Sequence, residues 1–236
     1  MITLILPFHS DIGRLKATLD VLKEKMQSYN IKEILLCHNG KPLMDEQKSL
    51  IETYLIDGAK LLHTDAKGIG AGYKLGINNA DQPLCVLSAS DLPFGFTDIE
   101  SLNKLASRPR LAIGSKAHPK SRIAGYGIKR KVVSFGFWTL RAFLLSPKTP
   151  KDSQGTILIE TALAKELIKK SIYDNYFFSV ELITLAQLEG VTPVELPVDL
   201  ENHEGESSVS VVADGWSLAK NLVSFSKRVK RMRREN

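Results

Sequence analysis

The sequence predicts an α/β protein built on a mostly parallel sheet flanked by helices and folded as one domain. Three observations carry this. Short apolar runs alternate with stretches of helical spacing, which is the order of β-α-β units. Several of those runs stop abruptly in small polar residues, as strands do where they reach the edge of an open sheet that binds ligands. The chain has 236 residues, 43% of them hydrophobic and 25% charged, enough to bury one sizeable core.

Ile2–Phe8 is a compact apolar run containing Pro7, and reads as the first strand. His9-Ser10-Asp11 follows, then a helix with Leu15, Leu19 and Leu22 on one face, which Ser10 or Asp11 can cap. Glu33–Cys37 is the second strand, ending at His38-Asn39-Gly40, and a helix carrying Leu43, Leu50 and Tyr54 comes next. Ala59–Leu62 is a short third strand, 65–76 is glycine-rich, and Leu84–Leu87 is the fourth strand. Phe96–Leu105 reads as a helix with Thr97 at its cap, and Leu111–Gly114 as a strand. Residues 115–131 are basic, lack a clean period and read as loop; 132–146 are strongly apolar, with Phe135, Phe137, Trp138 and Phe143. Thr161–Ile168 and Phe177–Leu188 are helical, Val191–Val198 is a late strand, 201–210 is loop, and a helix runs from Trp216.

Charge and cysteine content narrow the partners. The net charge is +6, but six basic residues between Lys227 and Arg234 account for it, and without them basic and acidic residues balance at 26 each. A neutral body with a basic tail is not the spread, aromatic-laced charge of a nucleic-acid binder, and nucleic acid is excluded as partner. Such a tail suits an anionic membrane surface. Leu218, Leu222, Phe225, Val229 and Met232 line one face of the last helix, with Lys and Arg on the other, so 216–234 is a basic amphipathic helix that rests on the domain or at a lipid interface. Cys37 and Cys85 sit inside apolar runs and read as buried thiols of a reducing compartment. No run is long enough to span a bilayer, and strand-like residues begin at Ile2 without a basic leader; the expectation is a cytoplasmic protein, with peripheral attachment to the inner face of the membrane.

The chemistry-bearing residues gather at strand ends. His9-Ser10-Asp11, His38-Asn39-Gly40 and Ser88-Ala89-Ser90-Asp91 each follow a strand that precedes a helix, so they should share one rim and can hold a nucleoside. Asp91 can take a cation or a substrate hydroxyl there, or cap the turn that Pro93 helps to form. Lys67-Gly-Ile-Gly70-Ala-Gly72 has neither Walker A nor dinucleotide spacing; it permits a helix N-terminus to approach a ligand, and a plain packing turn explains it equally well. Arg122, Lys129 and Arg130 suit a phosphate or a solvated face. Asp152, after a proline-rich break, is either a general base or a turn residue.

These motifs, in this order, resemble family 2 glycosyltransferases of the GT-A fold, most closely the dolichyl-phosphate glucosyltransferase and polyprenyl-phosphate mannosyltransferase branch. Leu4–Leu15 resembles the opening strand, loop and helix; Glu33–Gly40 the strand ending in two aspartates and a glycine; and Lys67–Ala71 with Gly76 the glycine-rich segment. Val86–Leu92 falls on the Asp-x-Asp strand, Asp152-Ser153-Gln154 on the element before the acceptor region, Phe178–Leu182 on the Phe-Asp-x-Glu-Leu helix, and 204–208 on the Gly-Ser loop.

The resemblance implies an inverting transfer from a nucleotide-sugar donor to a polyprenyl phosphate or glycan, in polysaccharide or glycolipid biosynthesis. It implies donor contacts by Pro7, His9, Asp11, His38, Asn39, Lys67, Gly70 and Ser90, and phosphate contacts by Arg122 and Arg130. Asp152 and Asp91 become the catalytic carboxylates, Gln154 and Glu181 lie on the acceptor side, and Asp91 holds a divalent cation, Mn or Mg. Residues 1–110 form the nucleotide-binding half, 111–212 the acceptor half and 213–236 the basic helix. Departures from the family pattern sit on the donor side: Ala89 replaces the first metal-motif aspartate, His38 and Asn39 replace the paired aspartates, and Ile69 replaces a lysine. They leave a catalytically silent binding or scaffold protein on the same fold as the alternative.

Overall fold

The structure, a computed structural model, describes residues 1–124, 128–200 and 211–235, with side chains undescribed at 128–130, 211–217 and 235. Its first half is the predicted alternation: β1 (Ile2–Phe8), α1 (Ile12–Lys25), β2 (Ile31–Asn39), α2 (Asp45–Tyr54), β3 (Ala59–Thr64), α3 (Ile69–Asn79), β4 (Leu84–Leu87) and α4 (Thr97–Asn103). The second half holds β5 (Leu111–Ser115), β6 (Arg122–Ile123), α5 (Ile128–Leu144), β7 (Ile157–Glu160), α6 (Thr161–Ile168), α7 (Phe178–Leu188), β8 (Val194–Pro197), β9 (Asp199–Leu200) and α8 (Val211–Glu235). Among the described residues, seven strands form one sheet in the order β3-β2-β1-β4-β7-β5-β8. All neighbours are parallel except β7, which runs antiparallel to both β4 and β5.

Alternation along each strand divides the core. In β1, Leu4, Leu6 and Phe8 join Leu15, Leu19 and Leu22 of α1 on one face. Ile5 points the other way and joins Tyr73 and Ile77 of α3, and Phe178 and Leu182 of α7. The α1 stripe is therefore the predicted one, and Asp11 caps it by accepting from the Arg14 N–H at 3.0 Å. Cys37 and Cys85 are buried free thiols, as expected.

The glycine-rich stretch is helix α3 itself, and its glycines admit it to the sheet. A Cβ on Gly76 would meet the Ile5 Cγ2 at 2.3 Å, and one on Gly72 the Pro7 Cβ at 2.8 Å. Gly68, at φ +112°, turns the chain into the helix where a side chain would strike the Asp174 carbonyl. Of the two readings of this segment, close packing is the one these contacts carry.

Three local expectations are corrected. The loop assigned to 115–131 contains β6 and the start of α5, whose first turn begins at Ile128. Strand β7 was not foreseen, because Ile157–Ile159 is a short apolar run without period. Thr97 does not cap α4 with its side chain: its hydroxyl donates to the Phe94 carbonyl and accepts from the Asp199 N–H. The predicted loop at 201–210 lies outside the described residues.

In α8, Leu222, Phe225 and Val229 are buried against Leu145, Phe177 and Val180. The apolar stripe of this basic helix thus rests on the domain, leaving its cationic face outward. Among the described residues no helix is long and apolar enough to cross a membrane.

Candidate functional site

Because β1, β2, β3, β4 and β5 are mutually aligned, their C-terminal ends lie on one rim. The reversed strand β7 brings its beginning to that same rim, and with it 152–156. Along the rim the chain therefore presents His63 and Asp65, His38 and Asn39, His9, Ser88–Asp91, Asp152–Thr156, and Ser115 with Lys116. The three predicted clusters are together, and an antiparallel strand absent from the sequence reading is what adds Asp152 to them.

At the β2 end three imidazoles form a ladder. The His38 and His63 rings lie 5.2 Å apart, as register neighbours on β2 and β3, and the His9 and His38 rings are 6.1 Å apart and parallel within 4°. The His38 Nε2 is 3.0 Å from the His9 carbonyl, which can only accept, so this nitrogen carries a hydrogen. The neutral His38 ring then accepts at Nδ1 from the His63 Nδ1, 3.0 Å away. Burial pulls the His38 pKa below its ordinary value; the bond to the His9 carbonyl opposes this, while charge on His63 and His9 adds to it. His9 itself is exposed, its Nδ1 donating to the Asn39 carbonyl at 2.7 Å.

Asn39 is buried and used as a clamp. Its amide donates to the Phe8 carbonyl at 3.2 Å and its oxygen accepts from the Gly68 N–H at 3.3 Å, tying the tips of β1 and β2 to the start of α3. Pro7 is buried under Gly72, Gly70 is buried beside Asp174 and Phe178, and Lys67 is exposed. Asp11 and Asp91 share a cation that the sequence reading missed: Arg14 lies 3.1 Å from Asp11 and 3.5 Å from Asp91. The Ser90 carbonyl accepts from the Thr18 hydroxyl at 2.6 Å, which fixes the β4 tip on α1.

Beyond β4 the rim opens into a cavity of about 320 Å³, within the usual range for small-molecule sites. It is lined by Ser88 and Ala89 after β4, by Lys116, Asp152, Gln154 and Tyr176, and by Phe137 and Arg141 of α5. Asp152 is buried, and both of its oxygens are occupied. One accepts from the Gln154 N–H at 2.9 Å, the other from the Lys116 N–H at 3.0 Å and the Lys116 ammonium at 3.1 Å. Burial alone would raise its pKa, but Lys116 and the two backbone N–H groups outweigh it and hold the carboxyl below the usual carboxylate range. Arg141 is buried in α5 and donates to Thr149 and to the carbonyls of Pro150 and Lys151, so it fixes the segment that carries Asp152. Burial pulls its guanidinium down to about 10, opposed by Asp152 and Glu195, and it stays charged at neutral pH.

Two expected contacts are not at this site. Glu181 is fully buried away from the cavity, where it accepts from Ser171, from the N–H groups of Ile172 and Tyr173, and from Arg228 at 2.9 Å. It joins α7 to α8 and does not face an acceptor. Arg122 points outward from the small β6–β9 sheet and is paired with Asp199. The Arg130 side chain lies outside the described residues. Arg14, Lys116 and Arg141 were missed, although a lone arginine within the apolar 132–146 run is a legible signal of a buried cation.

Among the described residues no group of three His, Cys, Asp or Glu side chains converges as a metal site. Asp91 offers one carboxylate, with Ala89 where a second would stand. Magnesium sites commonly use one or two carboxylates together with substrate phosphates. These residues therefore fit a divalent cation only when a diphosphate completes its shell.

No protein-family model matches the chain. Among curated proteins it is similar to glycosyltransferase AglD of Haloferax volcanii, 26% identical over 226 residues, which is 90% of this chain and 35% of that protein's length. Among solved structures it is similar to glucosyl-3-phosphoglycerate synthase of Mycobacterium tuberculosis in complex with Mn2+, UDP and phosphoglyceric acid, at 13% identity and TM-score 0.65, covering 94% of this chain and 76% of that one. It is also similar to a mannosyltransferase of Pyrobaculum calidifontis in complex with GDP-Man and Mn2+, at 13% identity and TM-score 0.57, covering 93% and 60%. The fold is the GT-A fold, as the motif order implied.

Proposed function

We propose that this chain, a GT-A protein similar in sequence to a glycosyltransferase, moves a sugar from a nucleotide-sugar donor to a phosphate-bearing acceptor with inversion at the anomeric carbon. The observation that carries the reading is the shared rim: the tips of β1, β2 and β4 share it with a cavity lined by Asp152 and Lys116. Solved structures of the same fold hold UDP or GDP-Man with Mn2+, which supports a nucleotide donor. On this reading residues 1–110 take the donor and 111–212 the acceptor.

The nucleoside lies along the His9, Asp11 and His38 side of the rim, with Asn39 keeping the strand tips in place. The diphosphate lies over Ser88–Asp91, near the permanent charge of Arg14. Asp91 would help to hold a divalent cation, which would supply charge neutralisation to the leaving diphosphate. The acceptor oxygen attacks the anomeric carbon from the face opposite the diphosphate. The new C–O bond forms as the bond to the β-phosphate breaks, and the nucleoside diphosphate leaves with the electron pair.

The state of Asp152 bears on the acceptor. A general base works best with a pKa near the working pH, and Asp152 is held low with both oxygens engaged. That favours an acceptor oxygen that is already ionised, such as a phosphate monoester, over a sugar hydroxyl. Lys116 then contacts the phosphate, Asp152 positions Lys116, and Gln154 lines the entry. The chain works on the cytoplasmic side, with the cationic face of α8 toward the inner face of a membrane.

The test is a transfer assay with a nucleotide-sugar panel and a polyprenyl phosphate, with and without manganese. Lys116→Ala and Asp152→Asn should each lower kcat, Asp152→Asn by less than the ~10²–10⁴-fold of a lost general base, and the wild-type rate should stay flat from pH 6.5 to 8.5. Full activity in both variants, or transfer only to neutral glycans, contradicts the assignment. Absence of affinity for every nucleotide tested would favour a silent binding protein.

A further inference from the structure

Helix α5 has two unlike faces. Inward, Phe137 and Arg141 wall the cavity, and Arg141 pins the helix to 149–151. Outward, Val132, Val133, Phe135, Leu140 and Phe143 are solvent-exposed, Phe135 at 65% and Phe143 at 86%. From Val132 to Phe143 no exposed position is charged, and the Thr139 hydroxyl is turned back onto the Phe135 carbonyl of its own helix. At 100° per residue these side chains fall on one arc, with Phe143, Gly136, Val132 and Thr139 at its centre. A surface helix of a soluble domain normally presents charge on this side. A contiguous exposed apolar face of this kind marks an interaction surface.

The surroundings indicate what covers it. Helix α8 packs against α5, and its own apolar stripe is already spent on Leu145, Phe177 and Val180. Its exposed side carries Lys227, Lys230, Arg233 and Arg234. The Arg233 guanidinium donates to the Leu145 carbonyl, which fixes this cationic end two residues from Phe143. Lys131 is exposed at the other end of the apolar arc. Aromatic and aliphatic side chains bordered by Lys and Arg match the layered chemistry of an anionic bilayer surface.

We propose that the outer face of α5 lies in the headgroup and upper acyl layer of an anionic membrane, with the cationic end of α8 against lipid phosphates. One helix then has lipid on its outside and the acceptor cavity on its inside. An acceptor with its phosphate at Lys116 and its hydrocarbon chain still in the bilayer passes along this helix. The substrate class so named, a membrane-borne lipid phosphate, rests on the transferase reading above; the membrane contact itself does not.

The experiment is co-sedimentation of the full chain with extruded vesicles of phosphatidylcholine alone or with 30% phosphatidylglycerol. Wild type should bind the anionic vesicles, and the Phe135→Ser/Phe143→Ser variant should lose about tenfold or more of its partition coefficient. High salt should weaken wild-type binding without abolishing it. Equal binding of variant and wild type, binding abolished by salt alone, or no binding at all overturns the proposal. So does a wild type that is dimeric by light scattering without vesicles and monomeric in the variant, since the face would then join two copies. Both side chains are exposed, so an unchanged melting temperature and unchanged nucleotide affinity should show that the variant is folded. Loss of nucleotide affinity in the wild type would sink the transferase reading and leave the vesicle result standing on its own.

Discussion

The imidazole of His38 sits between His9 and His63 in a setting that favours its neutral form. One nitrogen donates to a carbonyl and the other accepts from a second histidine. A proton added there must reverse the donor and acceptor roles of the Nδ1–Nδ1 contact and place charge in a buried site. Its folded pKa lies below the unfolded value near ~6.5, so the unfolded chain binds the extra proton first. Stability then rises with pH through that region and is lost as pH falls below it. Melting temperatures between pH 5 and 8 should fall more steeply toward acid for wild type than for His38→Gln, and parallel curves would contradict the ladder. The position was legible as a strand tip; its proton bookkeeping was not, because it depends on His63, one helix and one strand farther along the chain and adjacent only after pairing. Glu181 shows the converse. Its place in a helix was readable, yet nothing in the string distinguishes a carboxylate facing a substrate from one that accepts hydrogen bonds from four groups inside the fold.

At the scale of elements, spacing was readable wherever apolar residues repeat over several turns or fill a whole strand. α1 appears where its stripe places it, α6 and α7 within the segments read as helical, and β1, β2 and β4 where their runs do. β7 escaped because Ile157–Ile159 is too short to show a period, and its antiparallel sense depends on where the chain turns back after the cavity. The sequence shows α5 only as an apolar stretch over 132–146, and its start escaped because basic residues precede its apolar arc. Helix α3 offers a test of packing. Gly76 lies against Ile5 so closely that an added methyl group forces a shift in a filled core. Gly76→Ala should therefore destabilise the fold by about 1–3 kcal/mol, despite alanine's better helix propensity. Denaturant unfolding measures this, and a neutral or stabilising result would mean that α3 sits farther from β1 than described.

For the whole molecule, one sheet edge gathers residues from both halves of the chain, and two helices frame its far side. α5 walls the cavity, and α8 packs against α5 beside Phe137, Leu144 and Leu145, leaving the outer face of α5 uncovered. On the proposed reading, donor and acceptor meet where the parallel half of the sheet joins its one reversed strand. This order of elements follows from the alternation of runs, whereas the division of labour among α5, α8 and the rim required tertiary contacts. The direct measurement is hydrogen–deuterium exchange with and without UDP- and GDP-sugars in the presence of manganese. Protection should appear at 9–14, 38–40, 63–68 and 88–92, with little change at 171–173 or 224–231, where a second hollow lies beside Tyr173, Lys227 and Arg228. Protection confined to that second hollow, or none at the tips of β1, β2 and β4 despite measured binding, would contradict the shared rim as the donor site.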